Sequence, residues 1–413
     1  MRHRVVAALV ALTICGTGVL LGLPATGAPT SRNVLPPPAP KPTDSGGSPS
    51  APDPHPPLGG IGPDGEAVGG PALLARGLIL PAGAQPLPRN VTARAWIVVD
   101  LDSGAVIGAR DPHGRYQPAS IQKLLTTVTL LPRLPGGRTV TVSKAAARTE
   151  GSHAGLVAGG RYTVDQLFRG LLLVSGNDAA EALAEAAGGR ARTVRLMNAQ
   201  AVRLGAYDTF VQTPSGLDGW KQLTSAYDMA LILRAALGQP RFVAYDTTVQ
   251  ATLPRQQVNS LGPVRMYNQN ELFLTTVRGA LAAKTGFTDA AQHTFVGAIR
   301  RGGHRYGVVL LRAQRWPLDQ WQQAAALVGW ARRLPKGTAP VGRLVSAHDG
   351  VAAANGATAP HRRAAEQHAT KHHDASQTAW SVLALVVIVL LFAGGSVLVR
   401  RYATGRPLRA PRP

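Results

Sequence analysis

The spacing of apolar residues along the chain predicts where strands and helices form. Residues 95–100 are rich in strand-forming side chains, 102–104 read Asp-Ser-Gly as in a turn, and 105–109 return to apolar residues. This pattern is typical of a β-hairpin. The segment 120–131 changes to helical spacing, because its leucines and its valine fall on one face.

A helical region occupies the middle of the chain, and strand patterns resume after it. Helical patterns occur over 164–187, 193–204 and 226–237, strand patterns over 281–285, 293–299 and 306–311, and a closing helical pattern over 318–334. Because strands lie at both ends with helices between them, we predict an α+β fold whose single sheet is flanked by helices and carries an inserted helical lobe. A cleft between sheet and lobe is the expected binding site.

The first residues have the features of an export signal. Residues 1–4 are basic, 5–23 are almost wholly apolar, and small residues follow up to Ala28. We expect 1–28 to be a signal peptide. The alternative is an uncleaved anchor helix, since the apolar stretch is long enough to span a bilayer.

A second apolar segment predicts one C-terminal transmembrane helix over 378–399. Residues 379–399 contain no charged side chain, and the last residues, 400–413, include five arginines. An uncharged stretch of this length followed by a basic tail indicates a single span with a cytoplasmic C-terminus. We therefore expect a protein of the cell membrane with its folded part outside the cytoplasm.

Two segments of biased composition separate these signals from the folded part. Residues 29–88 are rich in proline, glycine and alanine, which predicts a disordered linker. Residues 341–377 are rich in alanine and histidine and predict a second linker, leaving 89–340 as one catalytic domain. The histidines of the second linker are interpreted as a solvated stalk and not as a metal site.

Charge and cysteine content exclude several classes of function. The formal net charge is +22, but aromatic residues are only 5% and an exported domain does not meet the chromosome, so we expect no nucleic-acid partner. The excess charge suits anionic envelope polymers or lipid head groups. The single cysteine, Cys15, lies inside the signal segment, which excludes disulfides and thiol chemistry from a cleaved chain. We expect no cofactor and no metal.

Ser120 and Lys123 are the first candidate catalytic pair. Ser120 would lie at the start of the helix, with Lys123 three residues later on the same side of the first turn. A serine hydroxyl needs a base to take its proton, and a lysine serves as that base only when its pKa is lowered. Lys284, arriving from a distant segment, is the expected second cation that lowers it. Alone, the pair is also compatible with a helix cap and a solvated lysine.

Two further motifs follow in order. Ser175-Gly176-Asn177 comes after an apolar run, so we expect it on a loop at the end of a buried helix, with Ser175 relaying a proton to the leaving amine and Asn177 holding Lys123 and the substrate. Taken alone, these letters are also ordinary turn chemistry.

The third motif lies on an expected edge strand and contributes Lys284, Thr285, Gly286 and Phe287 to substrate binding. Gly286 would allow an extended substrate to approach the backbone closely. The backbone N–H groups of Ser120 and Phe287 are the expected oxyanion donors.

Ser-x-x-Lys, Ser-x-Asn and Lys-Thr-Gly in this order resemble the penicillin-binding protein and serine β-lactamase superfamily. From about residue 94 to 334 the chain is similar to the low-molecular-mass D-alanyl-D-alanine carboxypeptidases, as in Gln117-Pro118-Ala119-Ser120 and in Ser-Gly-Asn-Asp-Ala-Ala beginning at Ser175. The resemblance implies an antiparallel sheet. It also implies that Ser120 attacks a peptidoglycan stem peptide ending in D-Ala-D-Ala, releases terminal D-alanine, and is acylated by β-lactam antibiotics.

The same resemblance leaves several points open. Ala283 and Ala291 stand where such enzymes would have glycines, which predicts a narrower groove. The arginine that often anchors the substrate carboxylate in this family is either Arg312 or Arg315. A class A β-lactamase mechanism is disfavoured because no glutamate lies between Glu185 and Glu271. The motifs are also compatible with a D,D-endopeptidase or with a non-catalytic peptidoglycan-binding scaffold.

Overall fold

The computed structural model describes residues 59–258 and 262–345. Its strands are β1 (Leu78–Ile79), β2 (Ala95–Asp100), β3 (Ala105–Arg110), β4 (Thr139–Thr141), β5 (Arg161–Thr163), β6 (Gln250–Leu253), β7 (Val264–Tyr267), β8 (Ala280–Thr288), β9 (Gln292–Arg301), β10 (His304–Ala313) and β11 (Gly342–Arg343). Its α-helices are α1 (Lys123–Leu130), α2 (Lys144–Ala147), α3 (Val164–Leu173), α4 (Asn177–Ala186), α5 (Arg190–Arg203), α6 (Ala226–Leu237), α7 (Pro240–Asp246), α8 (Glu271–Thr276) and α9 (Gln320–Ala331). Two short 3₁₀ helices cover Pro71–Leu74 and Ala119–Gln122.

One seven-stranded antiparallel sheet organises the domain. The strand order is β1-β3-β2-β10-β9-β8, and β11 also pairs with β3. The sheet therefore joins strands from both ends of the described chain, with β8 at the edge opposite β1 and β11. Two small hairpins, β4–β5 and β6–β7, lie apart from it.

The sheet separates two apolar cores because its central strand is buried on both faces. All six residues of β2 are buried, with Ile97 and Val99 in the core that faces the helical lobe and Trp96 and Val98 in the core behind the sheet. Behind the sheet, Trp96 meets Trp330 of α9 edge to face, with ring centroids 6.3 Å apart. This arrangement confirms the predicted α+β sheet with helices on both sides and an inserted helical lobe.

Most predicted elements are confirmed, and one helix is divided. The hairpin of β2 and β3 and the helix α6 lie where the apolar pattern placed them. The predicted helix over 164–187 is two helices, α3 and α4, because the backbone of Ser175 has a φ of 60°. A left-handed residue cannot continue a right-handed helix, so the chain changes direction there.

The predicted linker 29–88 is wrong from residue 59 onwards. Leu73 is fully buried, Val68 and Ile79 join the core, and β1 pairs with β3. A few apolar anchors and two strand residues are enough to order this segment, because the rest of the domain supplies the surface against which they pack. Composition alone could not reveal that surface.

The second predicted linker is wrong at its first residues. β11 adds to the edge of β3, and Leu344 is buried in the lobe-side core. The folded domain therefore includes residues on both sides of the predicted 89–340. The predicted signal peptide, the remaining linker residues, the span 378–399 and the tail 400–413 lie outside the described residues. Within the described ranges, no helix has the length and apolarity needed to cross a bilayer.

Candidate active site

Ser120 lies on the 3₁₀ helix Ala119–Gln122, which leads directly into α1. A 3₁₀ helix has three residues per turn, so the side chains at positions i and i+3 lie above one another. Lys123, the first residue of α1, consequently has its Nζ 2.8 Å from Ser120 Oγ. The preceding residue, Ala119, has a φ of 49°, a left-handed conformation that costs free energy for any residue other than glycine. The two side chains therefore meet as expected, and the first turn is tighter than the predicted α-helix.

Lys123 Nζ is fully buried and contacts three oxygens. Besides Ser120 Oγ, these are Asn177 Oδ1 at 2.7 Å and the Ser215 carbonyl at 2.7 Å. Burial, followed by the positive charge of Lys284, holds the pKa of Lys123 well below its ordinary value. The two carbonyl oxygens accept hydrogen bonds only. A neutral amine that donates to both of them directs its lone pair at the Ser120 hydroxyl.

Ser175 and Asn177 lie at the break between α3 and α4, as the motif predicted. Ser175 Oγ is buried and has no hydrogen-bond partner among the residues that the structure describes. Asn177 accepts from Lys123 through Oδ1 and donates from Nδ2 to the Glu150 carbonyl at 2.6 Å, which fixes the orientation of its amide.

Asp178 holds the neighbouring loop against this motif. Its buried carboxylate accepts hydrogen bonds from the backbone N–H groups of Ala154, Gly155 and Leu156 at 2.8–3.0 Å. The segment that carries Glu150 is thereby kept in contact with Asn177. The sequence motifs had indicated no role for Asp178.

Lys284 is buried on the edge strand β8 and donates to the Thr285 carbonyl at 2.7 Å. Burial lowers its pKa to about 8, and the carboxylate of Asp246 opposes that shift. Asp246, the last residue of α7, is itself buried, and burial raises its pKa to about 7. The hydrogen bond from the Ala283 N–H and the positive charge of Lys284 act in the opposite direction and lower this pKa. Sequence reasoning missed Asp246, because nothing in the pattern of α7 relates it to a strand that lies 38 residues away (284 − 246).

Gly286 brings β8 against the turn that carries the nucleophile. A Cβ at this position would lie 2.5 Å from Thr294 Oγ1 and 2.7 Å from the Ser120 backbone nitrogen. Glycine is therefore needed at this position because the protein's own backbone at Ser120 comes close to it. The sequence had indicated glycine only for the approach of a substrate. Thr285 is half-buried, and Phe287 is 54% exposed with its ring 4.6 Å from that of His293.

The loop 215–218 joins the two sides of the site. Ser215 supplies the carbonyl that contacts Lys123, and Asp218 Oδ1 accepts from Thr288 Oγ1 at 2.7 Å at the end of β8. Gly216 has a φ of 86°, and a Cβ there would lie 2.0 Å from the Ala119 carbonyl oxygen. This segment carries no chemistry that the sequence alone could have assigned to it.

The two candidate arginines differ in their surroundings. Arg312 lies in the irregularity of β10 between Leu310 and Ala313, has a φ of 51°, and has a buried Nε without a partner among the described residues. Burial raises the pKa of Tyr116, and the positive charges of Arg312 and Arg76 oppose the rise. Arg315 instead pairs with Asp319 at 2.8 Å and is 62% exposed.

Ala283 does not narrow the groove as expected. It is buried in the core behind the sheet, where Phe295 also lies, so its methyl group faces away from Ser120. Ala291 is fully buried, and its N–H donates to Thr288 Oγ1 at 3.0 Å. The correction follows from the alternation of β8, in which 283 and 284 point to opposite faces.

Three buried side chains, those of His113, Asp208 and Asp228, lie close enough together to hold a cation. His113 Nδ1 is 2.8 Å from Asp208 Oδ2, and its Nε2 is 3.0 Å from the Val68 carbonyl. Arg115 Nε donates to the other oxygen of Asp208 at 3.0 Å. Because both ring nitrogens are already engaged, this cluster is an internal hydrogen-bond network that secures the segment around Val68.

The comparisons with known proteins agree with this geometry. The D-alanyl-D-alanine carboxypeptidase family matches residues 82–315. D-alanyl-D-alanine carboxypeptidase DacB2 of Mycobacterium tuberculosis is 41% identical over 256 residues, which cover 61% of this chain and 86% of that protein. DacD of Salmonella typhimurium is 31% identical over 261 residues, which cover 60% of this chain and 65% of that protein, just under two thirds of its length.

A solved structure shows the same architecture. The crystal structure of D-alanyl-D-alanine carboxypeptidase from Mycobacterium tuberculosis H37Rv superimposes with a TM-score of 0.60 at 40% identity, covering 64% of this chain and all of that one. The sequence match and the structural match therefore agree, and the family match includes the serine, the buried lysine and the two supporting motifs. The chain belongs to the D-alanyl-D-alanine carboxypeptidase family.

Proposed function

We propose that this protein is a serine-type D-Ala-D-Ala carboxypeptidase that removes the terminal D-alanine from peptidoglycan stem peptides through an acyl-enzyme on Ser120. The observation that carries the proposal is the 2.8 Å contact between Ser120 Oγ and the fully buried Nζ of Lys123. A lysine held neutral beside a serine hydroxyl is a general base, because it can accept the proton as the oxygen attacks.

The acylation step follows from this arrangement. Ser120 Oγ attacks the penultimate D-alanyl carbonyl and transfers its proton to Lys123 Nζ. The backbone N–H groups of Ser120 and Phe287 stabilise the oxyanion. Ser175, whose buried hydroxyl has no partner among the described residues, accepts the proton from Lys123 Nζ as it donates its own to the amine of the departing D-alanine, so Lys123 returns to its neutral form.

Substrate binding uses the edge strand and the charges behind it. Lys284 and Thr285 bind the terminal carboxylate, and Gly286 lets the strand approach Ser120. Of the two arginines, we assign Arg312 to this carboxylate, because it makes no ion pair within the described ranges, whereas Arg315 is held by Asp319. Water then hydrolyses the acyl-enzyme, and no cofactor takes part. β-Lactam antibiotics would acylate Ser120 and leave slowly.

The test uses a fluorescent penicillin and a stem pentapeptide. We expect labelling of the wild-type protein, no labelling of Ser120→Ala, and release of free D-alanine from the pentapeptide. Rapid turnover of the penicillin would instead indicate a β-lactamase, and cleavage of cross-linked dimers without release of D-alanine an endopeptidase. Absence of both labelling and D-alanine release would leave only a peptidoglycan-binding scaffold.

The placement in the envelope is part of the proposal. We propose a signal peptide over 1–28, a membrane span over 378–399 and a cytoplasmic tail over 400–413. At one end of the described residues, the Gly60 N–H donates to Asp208. At the other end, Val345 lies so close to Gly205 that a Cβ on Gly205 would be 2.6 Å from it. Both ends therefore lie beside the segment 205–208. A protease added to intact cells should digest the domain and spare an epitope attached after Pro413. Loss of that epitope would contradict the topology.

A further inference from the structure

We propose that Trp220, Phe287 and Trp316 form an aromatic rim at one end of the cleft that binds the saccharide backbone of peptidoglycan. The inference deepens the proposed function and rests on it, because it concerns how the same site recognises a polymeric substrate. It adds a glycan subsite to the stem-peptide site.

The exposure of these rings is unusual for their size. Trp220 is 79% exposed, Trp316 83% and Phe287 54%, whereas Trp96 and Trp330 are fully buried in the core. Large aromatic side chains that remain in water forgo the free energy of burial, and a cluster of them on a surface indicates a contact with a ligand or partner.

Contacts of neighbouring residues place the three rings at the same end of the sheet. Asp218 bonds to Thr288 at 2.7 Å, which brings the Trp220 loop to the end of β8, next to Phe287. Gln314 Nε2 lies 3.4 Å from Gln292 Oε1, which brings the start of the Trp316 loop to the beginning of β9. β8 and β9 pair at this end through Phe287 and His293. The rim therefore continues the edge strand that leads away from Ser120.

Both tryptophan loops are held in place by hydrogen bonds. The Lys221 N–H donates to Gln212 Oε1 at 3.1 Å, one residue after Trp220. Beside Trp316, Arg315 pairs with Asp319, and Gln323 Nε2 donates to the Gln314 carbonyl at 2.7 Å. A tryptophan side chain has only two rotatable bonds, so binding from a loop that is already ordered costs little conformational entropy.

The chemistry of the rim suits a sugar polymer whose side chains carry carboxylates. The apolar C–H face of a pyranose ring stacks on an indole, and its hydroxyls remain hydrated around the edge. Lys221 Nζ lies 4.1 Å from the centroid of the Trp220 ring, so it covers one face and leaves the other for stacking. Its ammonium group also complements the carboxylates of stem peptides attached to the glycan. Continuity with the peptide cleft makes a glycan the occupant that fits best.

The decisive experiment compares two substrates in Trp220→Ala, Trp316→Ala and the double variant. One substrate is a free stem pentapeptide, and the other is a soluble glycan strand that carries the same pentapeptides. We expect kcat/KM for the free peptide to stay within about twofold, and KM for the polymer to rise about tenfold, equivalent to ~1.4 kcal/mol of binding. Leu78→Ala, which truncates an exposed apolar side chain on β1 at the opposite edge of the sheet, is the control and should change neither value. Melting temperatures should match the wild type.

A binding measurement separates this inference from the proposed function. Ser120→Ala is titrated with N-acetylchitotetraose while tryptophan fluorescence is recorded, and we expect quenching that disappears in the variant that also lacks both tryptophans. Quenching of this variant, combined with a wild-type protein that releases no D-alanine from the stem pentapeptide, would support the rim and overturn only the enzyme. Equal losses on peptide and polymer, or no loss on either, would overturn the rim. So would tryptophan-dependent binding to anionic phospholipid vesicles without any response to the saccharide.

Discussion

Gly286 approaches Ser120 so closely that a Cβ on residue 286 would lie 2.7 Å from the Ser120 backbone nitrogen. The edge strand and the turn that carries Ser120 thus approach each other at the backbone, and we expect this contact to position the two proposed oxyanion donors. A methyl group there has to push the two segments apart, because it meets backbone atoms that have no rotamer to change.

Gly286→Ala should therefore leave the protein folded but slow its acylation. Displacing one oxyanion donor typically costs about 10²–10³ in rate, so we expect a loss of that order in the rate of penicillin labelling. Gly137→Ala is the control, because a Cβ at that position meets nothing within 4 Å. Equal labelling rates for the two variants would show that the contact is unimportant.

Lys123→Ala should reduce D-alanine release nearly as much as Ser120→Ala, and the double variant should be no worse than either. A nucleophile and its base act as a unit, so their losses are not additive. The measurement is kcat/KM on the stem pentapeptide. Lys336→Ala serves as the control, because it removes an exposed lysine outside the site. Additive losses would argue against Lys123 as the base.

Ser175→Ala and Ser175→Gly distinguish the hydroxyl from the backbone at this position. Both remove Oγ, but glycine also relieves the left-handed φ of 60°. If the hydroxyl relays a proton, both variants should lose activity by a factor of about 10² or more. Recovery of activity in the glycine variant alone would assign the role of Ser175 to backbone geometry.

Activity should pass through a maximum with pH. It rises as Lys123 loses its proton and falls near pH 8, where Lys284, whose pKa is about 8, becomes neutral. Asp246→Asn removes the negative charge that favours protonated Lys284, so the alkaline limb should move to lower pH while the acidic limb stays in place. Asp102→Asn, which alters a surface carboxylate paired with Arg305, should leave both limbs unchanged.

The raised pKa of Asp246 also predicts how the stability of the folded state changes with pH. Its folded pKa, about 7, exceeds the ordinary value of 3.8, so the folded state binds its proton more tightly than the unfolded state. The contribution of this group is fully present below about pH 4 and is lost as pH rises through 7. The melting temperature of the wild type relative to Asp246→Asn should therefore fall between pH 5 and pH 8. A constant difference across this range would contradict the burial of an ionisable carboxyl.

The segment 59–88 should contribute measurably to stability. A fragment spanning 59–345 should unfold at higher denaturant concentration than one spanning 89–345, because the shorter fragment lacks Leu73 and β1. Leu73→Ala in the longer fragment should cost about 2–5 kcal/mol, as for other fully buried leucines. The exposed Leu78 offers a control substitution of the same type.

The chemical groups that this protein uses could be identified from the amino-acid order. The succession of the three motifs identified Ser120, Lys123, Ser175, Asn177 and Lys284, and apolar periodicity located β2, β3 and α6, because these signals are local or are carried by residue type. The edge position expected for the strand that carries Lys284, Thr285 and Gly286 is confirmed by the strand order of the sheet.

The distant groups that surround these residues became visible only in the assembled fold. The Ser215 carbonyl and the Asp246 carboxylate lack a local signature, since each acts through a contact between remote segments. Arg312 and Arg315 could both be named from the sequence, but only their surroundings distinguish them. The same holds for the anchoring of residues 59–88 and 341–345, whose composition predicts linkers. These segments are ordered by surfaces that form only when the sheet and the lobe have come together, and the free energy of burial depends on that assembled surface.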